Sequence, residues 1–242
     1  MADERPAYYA AGHGRWRDWW TLLHPPYTAW HLSYVVIGAC LAPRVQLVPL
    51  LAAVAAFFLA VGVAAHALDE LHGRPLRTAI PAGVLAAAAG LSLAGALALG
   101  VAGVIRVGWP LIPFLIAGPV LVVGYNAEVL GGIVHNDAGF AAGWGAFPVL
   151  TAYVAQTGTL ALAPVLAAAA ALGLSAAQRS LSTPARTLRR RARSAAGSVT
   201  LAGGGTVRLD RAALLAPLEK ALRAMSWSMV ALAAAVAVAR LG

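Results

Sequence analysis

His66, Asp69, Glu70 and His72 stand within seven residues of one another, and Arg74 and Arg77 follow directly. On a helix, His66 and Glu70 are spaced i, i+4 and His66 and Asp69 i, i+3, so an imidazole and two carboxylates can share a face. Carboxylates in that arrangement suit Mg²⁺, which bridges from one or two protein oxygens to substrate phosphates. Imidazole in the same set suits zinc or iron. The two arginines are of the type that grips phosphate oxygens through paired hydrogen bonds. Further along stand Glu128, His135 and Asp137. Glu128 and His135 are two turns apart by count, but Gly131-Gly132 between them breaks the helix and leaves their geometry open. The candidate catalytic residues are therefore Asp69, Glu70 and His66. The candidate metal ligands add His72, Glu128, His135 and Asp137. The plainer alternative is that the two carboxylates only neutralise Arg74 and Arg77, and that His135-Asn136-Asp137 is a polar turn.

These groups hang on the ends of apolar runs. Leu47 to Leu68 carries no charged residue over 22 positions, enough to cross a bilayer at about 1.5 Å per residue. The chain of 242 residues is 60% hydrophobic and 11% charged, which excludes an ordinary soluble domain. The expectation is an all-α polytopic membrane protein with about seven transmembrane helices. They are expected over residues 27–42, 47–68, 79–103, 111–130, 140–156, 159–176 and 221–239. Residues 1–23 read as an interfacial N-terminal segment, in which Trp16, Trp19 and Trp20 share one face of an amphipathic helix. Residues 24–242 read as a single helical membrane domain with a basic cytoplasmic loop over 178–211, whose later part forms a small hairpin around glycines. Glu219 and Arg223 are expected to pair at i, i+4.

Charge sets the orientation. With the N-terminus in the cytoplasm, thirteen arginines flank the spans on that side and only Arg44, Arg106 and Arg240 on the other, as the positive-inside rule requires. The expected location is the plasma membrane, multi-pass, with Asp69, Glu70, His72, Glu128, His135 and Asp137 gathered at the cytoplasmic face. The net charge of +9 is explained by this topology and by anionic lipid, so no nucleic-acid partner is expected. The single cysteine, Cys40, cannot form an internal disulfide. The polar start lacks the order of a cleavable signal, so the first span is expected to direct insertion. His24 and His31 read as interface or core histidines, and Arg189-Arg190-Arg191-Ala192-Arg193 as a solvated, lipid-facing basic run.

Taken in order, several segments resemble the UbiA superfamily of membrane prenyltransferases. Leu23-His24-Pro25-Pro26-Tyr27 resembles the opening of its first span. His66-Ala67-Leu68-Asp69-Glu70 followed by Arg74-Pro75-Leu76 looks like a shortened Asn-Asp-x-x-Asp motif with its downstream Arg-Pro-Leu. Tyr125-Asn126 resembles the Tyr-Ser or Tyr-Thr at the end of the fourth span. Residues 144–158, with Gly145-Ala146-Phe147-Pro148 and Tyr153 to Gln156-Thr157-Gly158, are similar to the menaquinone branch. The resemblance covers most of residues 22–185. Where the family places its second acidic motif, Gln178 to Arg186 contains no acid.

The resemblance implies a helical bundle around a cavity open to the cytoplasm and to lipid, holding Mg²⁺ against an isoprenoid diphosphate that alkylates a small acceptor. Asp69 and Glu70 would bind the metal, Arg74 and Arg77 the phosphate, and Tyr125 and Asn126 would line the pocket, with Arg179 or Arg186 adding positive charge. A different enzyme on the same scaffold would use His66, Glu70, His72, Glu128 and His135 to hold zinc or iron. A non-catalytic lipid-binding membrane protein is the third expectation.

Overall fold

The computed structural model describes residues 5–12, 14–126 and 135–242; Glu128 lies outside them. Six helices are long and apolar enough to cross a membrane, the build of a multi-pass all-helical membrane protein. They are α3 (Leu47–Leu71), α4 (Ala82–Val107), α5 (Trp109–Asn126), α6 (Asp137–Thr157), α7 (Leu162–Arg190) and α8 (Arg211–Leu241). Two shorter helices precede them, α1 (Arg15–Leu22) and α2 (Pro25–Cys40). An antiparallel hairpin of β1 (Ala196–Thr200) and β2 (Thr206–Asp210) links α7 to α8, where glycines and alternation place it.

The bundle is organised around α2, which packs mainly on α6 and α8. Pro25 and Pro26 start it, as proline favours the first turn, whose N–H groups have no helical partner. Trp30, Tyr34 and Val35 are fully buried on it, and the Trp30 indole donates to the Tyr34 hydroxyl at 2.7 Å. A Cβ on Gly38 would fall onto the Val149 carbonyl of α6, so these helices meet backbone to backbone, a contact only glycine permits. The opposite face of the bundle is apolar and outward: Leu91 and Ile105 of α4 are 76% and 82% exposed, as a lipid-facing surface is.

The helix ends depart from the sequence reading in three places. α7 continues through Arg190, so residues 178–190 extend the sixth apolar segment as amphipathic helix and the loop starts only after them. α1 is docked rather than free. Its Asp18 is buried and accepts from the Ala79 N–H at 3.3 Å, and Trp19 packs with Leu22 on Leu76 and Ile80. Only Trp16 and Trp20 of the expected aromatic face point outward, 80% and 54% exposed. Glu219 takes Arg189 as its partner, through both Nε and a terminal nitrogen, while Arg223 lies over the Tyr8 ring at 5.2 Å. A tertiary fork-to-carboxylate pair supplies two parallel charged hydrogen bonds that an i, i+4 surface pair does not.

Candidate functional site

Two of the spanning helices change pitch next to the residues that matter. Within α3, residues Phe58–Ala65 are π-helical and hand over directly to His66. Within α6, Ala142–Ala146 are π-helical and contain Trp144. A π turn shifts the register of the side chains beyond it, and such turns collect at functional sites. Each also offers a carbonyl to a histidine. His66 Nδ1 bonds the Gly62 carbonyl at 3.0 Å, and His31 Nδ1 bonds the Trp144 carbonyl at 2.9 Å. A carbonyl only accepts, so in the neutral rings Nδ1 carries the hydrogen and Nε2 the lone pair.

His31 and His66 open into a polar chamber of about 430 Å³. Its floor and walls come from far apart in the chain: the N-terminal segment with Tyr8 and Tyr9, His24 and Tyr27 before and on α2, Asp69 and His72 at the end of α3, Tyr125 and Asn126 closing α5, His135, Phe140 and Trp144, Gln178 to Arg191 on α7, and Glu219 on α8. His24 begins α2 in the left-handed region at φ 46°, an uncommon conformation for a residue with a Cβ. Its ring meets that of His66 edge to face with centroids 4.1 Å apart. Burial, then the neighbouring His66, Arg190 and Arg186, hold the His24 imidazole well below its ordinary pKa of 6.5. Burial likewise pushes the Tyr9 phenol up.

Asp69 and Glu70, adjacent in sequence, do different work. Asp69 lines the chamber, and its charge faces Arg186, Arg190 and Arg179 across it. Glu70 is fully buried beneath the following loop and accepts from Leu76 N at 2.9 Å, Thr78 N at 2.8 Å and Thr78 Oγ1 at 2.9 Å. Its carboxylate is the anchor of a loop in which Arg74 and Arg77 both hold positive φ, 52° and 56°. The Arg74 guanidinium is spent on the same loop, donating to the Ile80 carbonyl at 2.6 Å and to that of Thr78 at 3.4 Å. Arg77 is exposed and, like Arg74 and Glu70, lies off the chamber wall.

The second sequence group divides in the same way. His135 stacks on Tyr125 at 4.5 Å between centroids, and its Nδ1 bonds the Tyr125 carbonyl at 2.7 Å. Asp137 is outside the chamber wall with its side chain 78% exposed, and it receives Arg179 Nε at 2.8 Å. Asn126 lines the chamber while its amide donates to the Val122 carbonyl one turn back. Among the described residues, Asp69 faces the chamber while Glu70 and Asp137 lie off its wall, and Glu128 is outside them. Among the described residues no three His, Cys, Asp or Glu side chains are grouped to hold a metal ion. Asp69 and Glu219 are the described acids on the chamber wall, and Glu219 is taken by Arg189.

Several wall residues stand outside the sequence reading. The lipid-facing assignment of Arg189, Arg190 and Arg191 is corrected, because they border the chamber. His24 and His31, read from the sequence as interface or core histidines, both line the chamber. Tyr8, Tyr9, Tyr27 and Gln178 join them. The available signal was the spacing of Arg179, Arg186 and Arg190 at i, i+7, i+11, which puts them on one helical face once the helix is known to run that far. Among the described residues Tyr125 Oη and Gln178 Oε1, both of wall residues, are buried without a hydrogen-bond partner.

Trp144 is shared with a second cavity, an apolar cleft of about 260 Å³ between α3, α4, α5 and α6. Ala53, Ala60, Leu97, Leu115, Val122 and Phe147 are among its walls. Trp144 packs against Tyr125 and Phe140 at 4.6 and 5.8 Å between centroids, so an aromatic partition separates a cationic chamber from an apolar one. Comparison with protein-family models, with curated proteins and with solved structures finds no match.

Proposed function

We propose that this protein is a UbiA-like integral membrane enzyme that transfers the prenyl group of an isoprenoid diphosphate, or of a related anionic amphiphile, to a small acceptor. The observation that carries the reading is the pairing of an arginine-lined chamber with an apolar cleft across Trp144. An amphiphile with a charged head and a hydrocarbon tail matches both halves, and cavities of this kind are where such ligands bind. In this reading α2 is a seventh span, the bundle lies in the plasma membrane, and the N-terminus and the chamber face the cytoplasm, where most of the arginines flank the spans.

In the transfer, the allylic C–O bond breaks and the diphosphate leaves with the electron pair. The allylic carbon then bonds to the acceptor, whose proton departs. Arginines on α7 stabilise the charge that develops on the leaving oxygens. The faces of Trp144 and Tyr125 offer their negative quadrupoles to the positive carbon. His66, with its Nε2 lone pair, takes the acceptor proton, and Asp69 balances the imidazolium.

The test is turnover by the full chain in lipid nanodiscs, given a prenyl diphosphate and a panel of phenolic and quinol acceptors, read as diphosphate release and prenylated product. We expect release that falls at least tenfold in His66→Gln, in line with the loss of a general base. Binding of the prenyl diphosphate without release across the panel would leave a lipid-binding protein instead. Copurifying zinc or iron, lost in His66→Asn, would move the site to the transition-metal class.

A further inference from the structure

We propose that the arginine face of α7 binds a polyanionic phosphate headgroup directly, through guanidinium and phenol hydrogen bonds and without a bridging metal ion. This rests on the chamber being the headgroup site of the function proposed above, and it says how that site achieves charge balance where acidic motifs are missing.

Five arginines and two acids line the chamber among the described residues. Arg189 is matched by Glu219, and Arg179 by Asp137. Among the described residues Arg186 and Arg190 have neutral hydrogen-bond partners: Arg186 donates to Thr183 Oγ1 at 3.3 Å and Arg190 to the Pro6 carbonyl at 3.2 Å. Both are largely withdrawn from bulk water, and Arg179, Arg186 and Arg190 lie close enough to repel one another. A guanidinium cannot shed its proton, so this repulsion is relieved only by an anion. Asp69 supplies one negative charge for the two.

The hydrogen-bonding atoms point to the same ligand. Among the described residues Tyr125 Oη, on the wall, is buried with no partner, and a phenol can donate. Two guanidinium forks and a phenol make a site rich in donors, and phosphate oxygens are acceptors only. A metal-bridged headgroup would need the reverse, carboxylates presented to the cavity. Here Glu70 is committed to Leu76 and Thr78, and Asp137 to Arg179 on the outer rim. The positive charge that a magnesium ion would bring is already in the chain.

Titration calorimetry of the full chain in zwitterionic nanodiscs, with inorganic pyrophosphate and EDTA present, tests this. We expect binding without metal that weakens with salt. It should fall about tenfold or more in Arg186→Gln and in Arg190→Gln, the scale of a lost charged hydrogen bond, and persist in Arg193→Gln on the exposed linker. Arg186→Lys keeps the charge and covers the case in which Arg186→Gln fails to fold, and it should retain part of the affinity. Binding that appears only with added Mg²⁺, or that is unchanged in folded Arg186→Gln, overturns the proposal. A prenyl diphosphate that competes well below the pyrophosphate concentration identifies the natural anion as a lipid headgroup, and equal potency identifies a free phosphate; both support the site. Metal-free pyrophosphate binding without prenyl turnover would refute the enzyme reading and keep the site. Turnover combined with strictly Mg²⁺-dependent pyrophosphate binding would do the opposite.

Discussion

The chamber and the cleft share one side chain, Trp144, and are otherwise built by opposite means. The cleft is made from four helices, and its walls are mostly Ala, Gly, Leu, Val and Phe, with Arg106 and Thr151 among them. Its walls include Ala60 and Val61 of one π-helical turn and Gly143 and Trp144 of the other. The chamber is made from helix ends, the N-terminal segment and the C-terminal turns of α7, with His24 in the left-handed region and with carbonyls of the π-helical turns bonded to His66 and His31. The difference teaches where specificity is stored. Apolar volume comes from composition along a helix, whereas a cluster of like charges needs many separate elements to hold it, and residues held away from their preferred conformations mark that expense.

The largest effect should come from removing the partition. Trp144→Ala deletes a buried indole that contacts both cavities, and cavity creation of that size costs roughly 3–5 kcal/mol. Thermal melting in detergent checks the cost. If the two cavities are functionally distinct, the surviving protein should also lose its preference among prenyl chain lengths while still binding pyrophosphate. The adjacent acids come next. Glu70→Ala strands two backbone N–H groups and a hydroxyl, an expected loss of about 3 kcal/mol, whereas Asp69→Ala should shift stability by less than about 1 kcal/mol. Equal destabilisation by the two would break the division between loop scaffold and chamber.

The cleft has its own probe. Ala53→Phe places a ring into it and should weaken a long-chain prenyl diphosphate by about tenfold, the worth of roughly two buried methylenes, with pyrophosphate affinity unchanged. Equal weakening of both ligands would show that the cavities are not separable. Acid should act on the chamber side alone. The His24 pKa is depressed in the folded state below its ordinary 6.5, so below that pH the unfolded chain takes a proton that the folded chain refuses. Stability therefore falls as pH drops below 6.5, with a limiting slope of about 1.4 kcal/mol per unit for this one group. Denaturant titrations at several pH values should show that slope reduced in His24→Gln. An identical slope in the variant would place the acid sensitivity elsewhere.

Much of this architecture was legible from the chain. Uncharged runs such as Leu47 to Leu68 locate spanning helices because burying apolar length is a local, additive property. Glycines around 203–205 with flanking alternation locate the hairpin for the same reason. The gathering of some of these residues was legible too, since His66, Asp69, Tyr125 and His135 do line one cavity. Its chemistry was less so. Asp69 and Glu70 differ by one position, about 100° around a helix, and no spacing rule says which will meet a cavity and which a loop. The loop that claims Glu70 is read only when Thr78 is seen folded back over it.

The sequence by itself determined that this is a helical membrane protein with ionisable groups concentrated at span ends, because hydropathy and charge act over a turn or a span. Only the tertiary structure decided which of those groups face one another. It carried α7 on to Arg190, brought Tyr8 and Tyr9 from the N-terminal segment over His24 and Tyr27, paired Arg189 with Glu219, and set Arg186 and Arg190 across from Asp69. Each of these depends on contacts between residues distant in the chain. Their free energies are set by distance and desolvation in the folded state, quantities that neighbouring residues in a sequence do not encode.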